Sequence, residues 1–183
     1  GDAEKLGLTY QELALHNPAL IYGSITGYGI DDPRAGYDAV IQAEAGFTYL
    51  NGQPEGPPTK MPVALMDLLA AHQLKQGLLT ALLNRQMNGQ GDHISVSLLQ
   101  AGISALVNQA TNWLVGGEVP RRIGSSHPNI APYGDILYTA DEQPVVLAIG
   151  SDRQFTELCK VLDATELQDN PLYRNNHLRV INR

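Results

Sequence analysis

Apolar and polar positions follow two different periods along this chain. From Met61 to Leu83 leucines recur at three- and four-residue steps, at Leu65, Leu68, Leu69, Leu78, Leu79, Leu82 and Leu83. That period predicts one long helix with the leucine side buried. Gly89 is a natural stop for it. Residues 19–26 form a mostly apolar run rich in β-branched and aromatic side chains, the signature of a buried strand in a parallel sheet. Thr9 and Glu12 make a capping box for a short first helix, which Pro18 ends. Tyr37–Ala45 reads as another short helix, closed by Gly46. Residues 51–60 hold too much Gly and Pro for regular structure. Residues 94–99 alternate like a strand and lead into a second long helical pattern, Ala101–Leu114, broken by Gly116 and Gly117. Beyond an irregular stretch to Tyr133, residues 135–140 and 144–149 read as a hairpin. Ser151 and Gln154 then cap a further helix, and residues 176–182 are helical in pattern.

These elements predict an α/β protein: residues 1–132 as part of a large domain, and residues 133–183 as the start of a small α+β domain. A chain of 183 residues with 43% hydrophobic positions can bury a real core. A net charge of −7 and a sequence pI near 5.1 argue against a nucleic-acid or anionic-membrane partner. No run approaches the roughly 20 apolar residues that span a bilayer. The sequence opens on Gly1 rather than Met and lacks the basic and apolar regions of a signal peptide. The single Cys159 excludes an internal disulfide, fits a reducing compartment, and lies on the apolar side of its helix, where a buried and inert thiol is expected. Trp113 reads as packing. The five His are scattered with no Cys beside them, so no metal site is expected.

Candidate chemistry gathers around Asp67, a carboxylate in the first turn of the long helix. The positive end of the helix dipole favours its ionised form there. The plain alternative is that Asp67 serves as the N-cap. Gly27, Tyr28 and Gly29 follow the predicted strand at its C-terminal end, the edge where open α/β sheets bind ligands. Glycines there let a ligand approach the backbone. Arg34 is either a ligand-holding cation or a solvated loop charge. Tyr37 is either a binding residue or helix packing, and Asp38 a first-turn helix residue. His72 lies five residues past Asp67, about 500° around the helix, so it is not stacked on it. His127 precedes a proline and either orders its loop or touches substrate.

Several segments in order resemble the family III CoA-transferases, a family that includes the α-methylacyl-CoA racemases. They are Lys5 to Leu13, Asn17 to Tyr22, Ser24 to Gly29, the Ala35-Gly36-Tyr37-Asp38 run, and Asp67 with Gly77 ten residues later. Asn88 to Ser97, and Gly124, His127, Pro132 and Tyr133 ahead of the small domain, complete the series. The resemblance implies a Rossmann-like large domain with Asp67 as the nucleophile that carries an acyl group. It implies Gly27, Tyr28, Gly29, Arg34 and Tyr37 as residues contacting coenzyme A or a carboxylate. Acyl-CoA and a small carboxylic acid, above all a dicarboxylic acid, are the implied partners. No permanently bound cofactor is implied. The expected assembly is a homodimer in the cytoplasm, or in the mitochondrial matrix of a eukaryote. Members of the family begin earlier and end later, so the sequence looks like a central fragment, and an inactive fragment is a competing reading. So is a racemase, but that branch carries histidine where Tyr37 stands, and a phenol with a pKa near 10 replaces it poorly. The stretch from Gly116 to Tyr133 lacks the run of four glycines found in formyl-CoA transferases, which counts against formyl or oxalyl chemistry.

Overall fold

A computed structural model describes residues 2–183. In chain order its elements are α1 (Asp2–Lys5), α2 (Tyr10–His16), β1 (Ile21–Thr26), α3 (Asp38–Glu44), α4 (Phe47–Leu50), α5 (Leu65–Asn88), β2 (Asp92–Ser97), α6 (Leu98–Ser104) and α7 (Asn108–Gly116). There follow β3 (Tyr133–Tyr138), β4 (Pro144–Ala148), α8 (Asp152–Val161), α9 (Glu166–Asp169) and α10 (Asn176–Ile181). The architecture is α/β. Two compact units divide it. One holds the chain up to Tyr49 and Thr59–Pro120; the other holds Leu50–Pro58 and Arg121–Arg183.

In the first unit β1 and β2 pair in parallel, from Ile21 opposite Asp92 to Thr26 opposite Ser97. Parallel neighbours need a long crossover, and α5 supplies it. Two glycines let α5 lie close on the sheet. A Cβ on Gly23 would sit 3.2 Å from Leu74 Cδ1 and 3.3 Å from Leu78 Cδ2. A Cβ on Gly77 would collide with the Ile94 side chain. On the other face, reached by the alternation of the strand, Tyr22 and His93 meet Tyr10 of α2. The Tyr10 and His93 rings stack at 5.3 Å, and His93 Nε2 lies 2.9 Å from Ser24 Oγ. The Thr9–Glu12 capping box that opens α2 is complete.

The core consists of Ile41, Met66, Ala70, Val96, Leu98 and Ala101, with Tyr28, Phe47, Leu65, Leu69, Leu74 and Leu99 packed against it. This corrects the leucine-face expectation for α5. The helix buries Met66, Ala70 and Ala81, while Leu68, Leu79, Leu82 and Leu83 are exposed. The leucines are split: Leu65, Leu69 and Leu74 pack half-buried against the core and Leu74 and Leu78 lie over Gly23, while small residues take the fully buried positions and the other leucines stay outside. The long helix expected over 101–114 is also two pieces. Ser97 caps α6 early, its Oγ accepting the Gln100 N–H. Val107, at φ 47° and ψ −111°, then breaks the path before α7.

In the second unit β3 and β4 form the expected hairpin, with Ile136 opposite Val146 and Tyr138 opposite Pro144. Residues 121–124 group here because the Gly124 N–H donates to Gly52 O at 3.1 Å and Arg122 Nε to Gln53 O at 3.1 Å. Ser151 Oγ accepts the Gln154 N–H and caps α8, which buries Phe155 and Cys159. Arg179 of α10 is 3% exposed. Its Nε donates to Ala131 O at 2.8 Å, Nη1 to Tyr173 O at 3.0 Å and Nη2 to Asp152 Oδ1 at 2.7 Å. The guanidinium lies 4.4 Å from the centre of the Phe155 ring.

Burial pushes the Cys159 thiol up, and the Glu166 carboxylate adds to the shift. The thiolate is the reactive form, so a thiol reagent in native buffer near neutral pH is expected to leave Cys159 unmodified for hours. Stoichiometric labelling should follow unfolding in denaturant. Mass spectrometry showing rapid native labelling would refute the burial.

Candidate active site

The first turn of α5 has no cap of its own. Ala64 occupies the N-cap position and offers no side-chain acceptor. The acceptor comes from α3: Asp38 Oδ1 takes the Met66 N–H at 2.9 Å. Asp67 is therefore not the cap. It stands one residue further in, exposed, and its carboxylate makes no hydrogen bond or ion pair among the described residues. A carboxylate free of structural partners at the positive end of a helix of 24 residues remains available to a ligand.

Asp38 is itself held. Its Oδ2 accepts a 2.8 Å bond from Gln42 Nε2, one turn along α3. Gln42 is fully buried. Its Oε1 accepts the Met61 N–H at 2.9 Å, and its Nε2 donates to Val63 O at 3.1 Å and, more weakly, to Met61 O at 3.4 Å. Two α3 side chains thus fasten both the segment that leads into α5 and the first turn of α5. Sequence reasoning left Asp38 as a plain first-turn residue and missed Gln42. The one available signal was their four-residue spacing on a helix, which places the two side chains side by side.

The turn after β1 is built by a glycine contact. A Cβ on Gly27 would lie 2.5 Å from Gly36 N and 2.6 Å from Gly36 Cα. The Gly27 carbonyl accepts the Leu99 N–H at 3.1 Å, which ties the turn to α6. Gly29 has φ +128°, in the region that favours glycine, and its N–H is taken by Thr26 Oγ1 at 3.0 Å. That N–H is engaged within the turn.

Arg34 folds back over this turn. Its guanidinium carbon lies 3.7 Å from the Tyr28 ring centre. Nε bonds both Asp32 carboxylate oxygens at 3.1 and 3.0 Å, and Nη2 bonds Oδ2 at 2.7 Å. The Arg34 bonds hold the Asp32 carboxyl below the usual carboxylate range. Burial pushes the Tyr28 phenol up, and its hydrogen bond to Glu44 adds to the shift. Tyr28 also packs against the core cluster that contains Met66. Tyr37 is 69% exposed at the N-cap position of α3, with no capping bond from its side chain.

The structure therefore gathers Gly27, Tyr28, Gly29 and Arg34 into one turn. It joins Tyr37–Asp38 to Met66–Asp67 through the 2.9 Å Asp38 bond. His72 is exposed further along α5. His127 lies in the second unit, where its Nδ1 accepts the Asn129 N–H at 3.1 Å and its ring meets the edge of Tyr133 at 5.5 Å. Among the described residues no group of His, Cys, Asp or Glu is arranged to hold a metal ion, and no helix is long and apolar enough to cross a membrane.

The sequence model of CoA-transferase family III matches residues 1–183. A succinate–glutarate CoA-transferase of Agrobacterium fabrum is 40% identical over 179 residues, covering 96% of this chain and 44% of that protein. An acetyl-CoA:oxalate CoA-transferase of Acetobacter aceti is 37% identical over 186 residues, covering 100% of this chain and 47% of that protein. A crystal structure of a CAIB/BAIF family protein from Brucella suis superimposes with a TM-score of 0.77 at 40% identity, covering 100% of this chain and 49% of the other. The chain spans about half the length of the curated relatives it matches.

Proposed function

The chain belongs to CoA-transferase family III, and from that premise we propose that the complete protein moves coenzyme A from an acyl-CoA to a free carboxylic acid through Asp67. The observation that carries this reading is the free, exposed Asp67 carboxylate in the first turn of α5, its capping duty taken over by Asp38. A carboxylate is a weak nucleophile and needs positioning to attack a thioester.

The steps balance without any added reagent. An Asp67 oxygen attacks the thioester carbonyl, the C–S bond breaks, and a mixed anhydride forms with release of CoA thiolate. The thiolate attacks the Asp67 carbonyl carbon, giving an aspartyl-CoA thioester and the free donor acid. The acceptor carboxylate then attacks that thioester and displaces the thiolate. Attack of the thiolate on the acceptor's acyl carbon yields the new acyl-CoA and restores Asp67. No net proton is moved.

Gly27, Tyr28, Gly29, Arg34 and Tyr37 are the residues to which we assign the CoA chain and the acceptor. In Arg34, Nε and Nη2 are engaged by Asp32, so Nη1 is the nitrogen that would meet an anion. With the Gly29 N–H already bonded, donors for the tetrahedral oxyanions fall to other backbone N–H groups of this turn. The preferred acceptor is a dicarboxylic acid. Relatives named for glutarate and for oxalate support that class. The working form is a homodimer of the cytoplasm or mitochondrial matrix.

The test is to treat the complete protein with an acyl-CoA, trap with hydroxylamine, and map the adduct by mass spectrometry. The expected site is the peptide containing Asp67. An adduct on Asp38 would overturn the mechanism.

A further inference from the structure

We propose that Gln42, together with Asp38, is a positioning residue for Asp67, a clamp on α3 that sets where α5 begins and so where the nucleophile stands. The inference rests on the reading of Asp67 as the nucleophile.

The burial is the first argument. Gln42 is one of the largest fully buried side chains of the described residues, and it is polar. A buried amide costs stability unless its hydrogen-bonding groups are met. Here both ends are met, by Asp38 and by backbone of the segment leading into α5. An apolar residue would fill the same core position without that requirement.

The targets are the second argument. Beyond its bond to Asp38 one turn away on α3, the amide holds another segment of the chain. It reaches 19 residues on to Met61 and 21 residues on to Val63. Val63 O in turn accepts the Leu65 N–H at 2.9 Å, at the first residue of α5. Asp38, oriented by the same amide, bonds Met66, the residue before Asp67. Met66 is fully buried, and its Sδ would lie 2.7 Å from a Cβ on Gly102. The backbone beside Asp67 is thus fixed from both sides while the Asp67 side chain is left free.

The test compares the complete wild-type protein with Gln42→Leu and Gln42→Glu. The readout is the rate constant and amplitude of adduct formation on the Asp67 peptide in single turnover, with KM for the acyl-CoA. Gln42→Leu is expected to slow adduct formation about 10²-fold, the scale of an ångström-sized misplacement. Amplitude and KM should stay unchanged. In Gln42→Glu the introduced carboxyl is buried against Asp38, which raises its pKa. Lys60, which is exposed and donates to the same Met61 carbonyl at 2.5 Å, opposes this only in part. Protonation restores a donor toward Asp38, so the rate of this variant should rise as pH falls relative to wild type. That recovery also tests the clamp if Gln42→Leu fails to fold. A rate constant within about threefold of wild type, a loss confined to amplitude or KM, or no recovery at low pH would overturn the clamp alone. A wild-type adduct on another peptide would overturn the Asp67 reading, and the clamp with it.

Discussion

Asp67→Asn in the complete protein is expected to lower CoA transfer by roughly three orders of magnitude or more, since it removes the group that carries the acyl unit. Asparagine keeps the shape and exposure of the side chain but cannot form the anhydride. The fold should barely register the change. Asp38, not Asp67, accepts the Met66 N–H, so the cap survives. What is lost is the attraction of a carboxylate to the helix dipole, a stabilisation of at most ~1 kcal/mol at an exposed site. Chemical denaturation alongside single-turnover kinetics separates the two quantities. Substantial transfer by the folded variant would remove Asp67 from the mechanism.

The second large effect is on stability. Arg179→Met should destabilise the second unit by about 2–4 kcal/mol, because carbonyls that lose a buried donor bear the desolvation cost. Ala131 O and Tyr173 O are those carbonyls, and the contact with Phe155 is lost as well. Asp152→Asn tests the ion pair alone. Asp152 is 59% exposed, and pairs with an exposed partner contribute little, so the loss there should stay under about 1 kcal/mol. Amide exchange in α8 and α10 reads both variants. Equal losses would show that the charge pair, not the carbonyl bonds, holds the unit.

What the sequence revealed is what short-range chemistry decides. The Thr9–Glu12 box needs only three residues of spacing, and it forms as read. The β1 strand and the hairpin of β3 and β4 were legible for the same reason: the period of a few neighbouring side chains sets them. Leucines on α5 misled in part, with Leu65, Leu69 and Leu78 half-buried and the other four exposed, because which positions are buried depends on how near the sheet comes. Gly23 and Gly77 decide that, and an isolated glycine does not announce what it touches. The break at Val107 escaped because helical periodicity runs straight through a residue whose φ is positive. Asp67 was singled out by its place in a helix turn and by the family resemblance that includes Gly77 ten residues on. Its freedom from capping was not, since that depends on Asp38 reaching across from another helix. Gln42 was missed because, apart from Asp38 one turn away, its partners are backbone atoms 19 and 21 residues away.

The contact between Gly27 and Gly36 limits how this chain can drift. In most tight contacts, one residue grows when its neighbour shrinks, and a second mutation rescues the first. Here each glycine's missing Cβ would fall on the other's backbone, and no residue is smaller than glycine. A methyl added at either position has no compensating change at the other, only movement of the turn itself. Descent from a common ancestor would therefore preserve both glycines together whether or not either one meets coenzyme A, and their persistence among relatives would record a steric dead end rather than a chemical role.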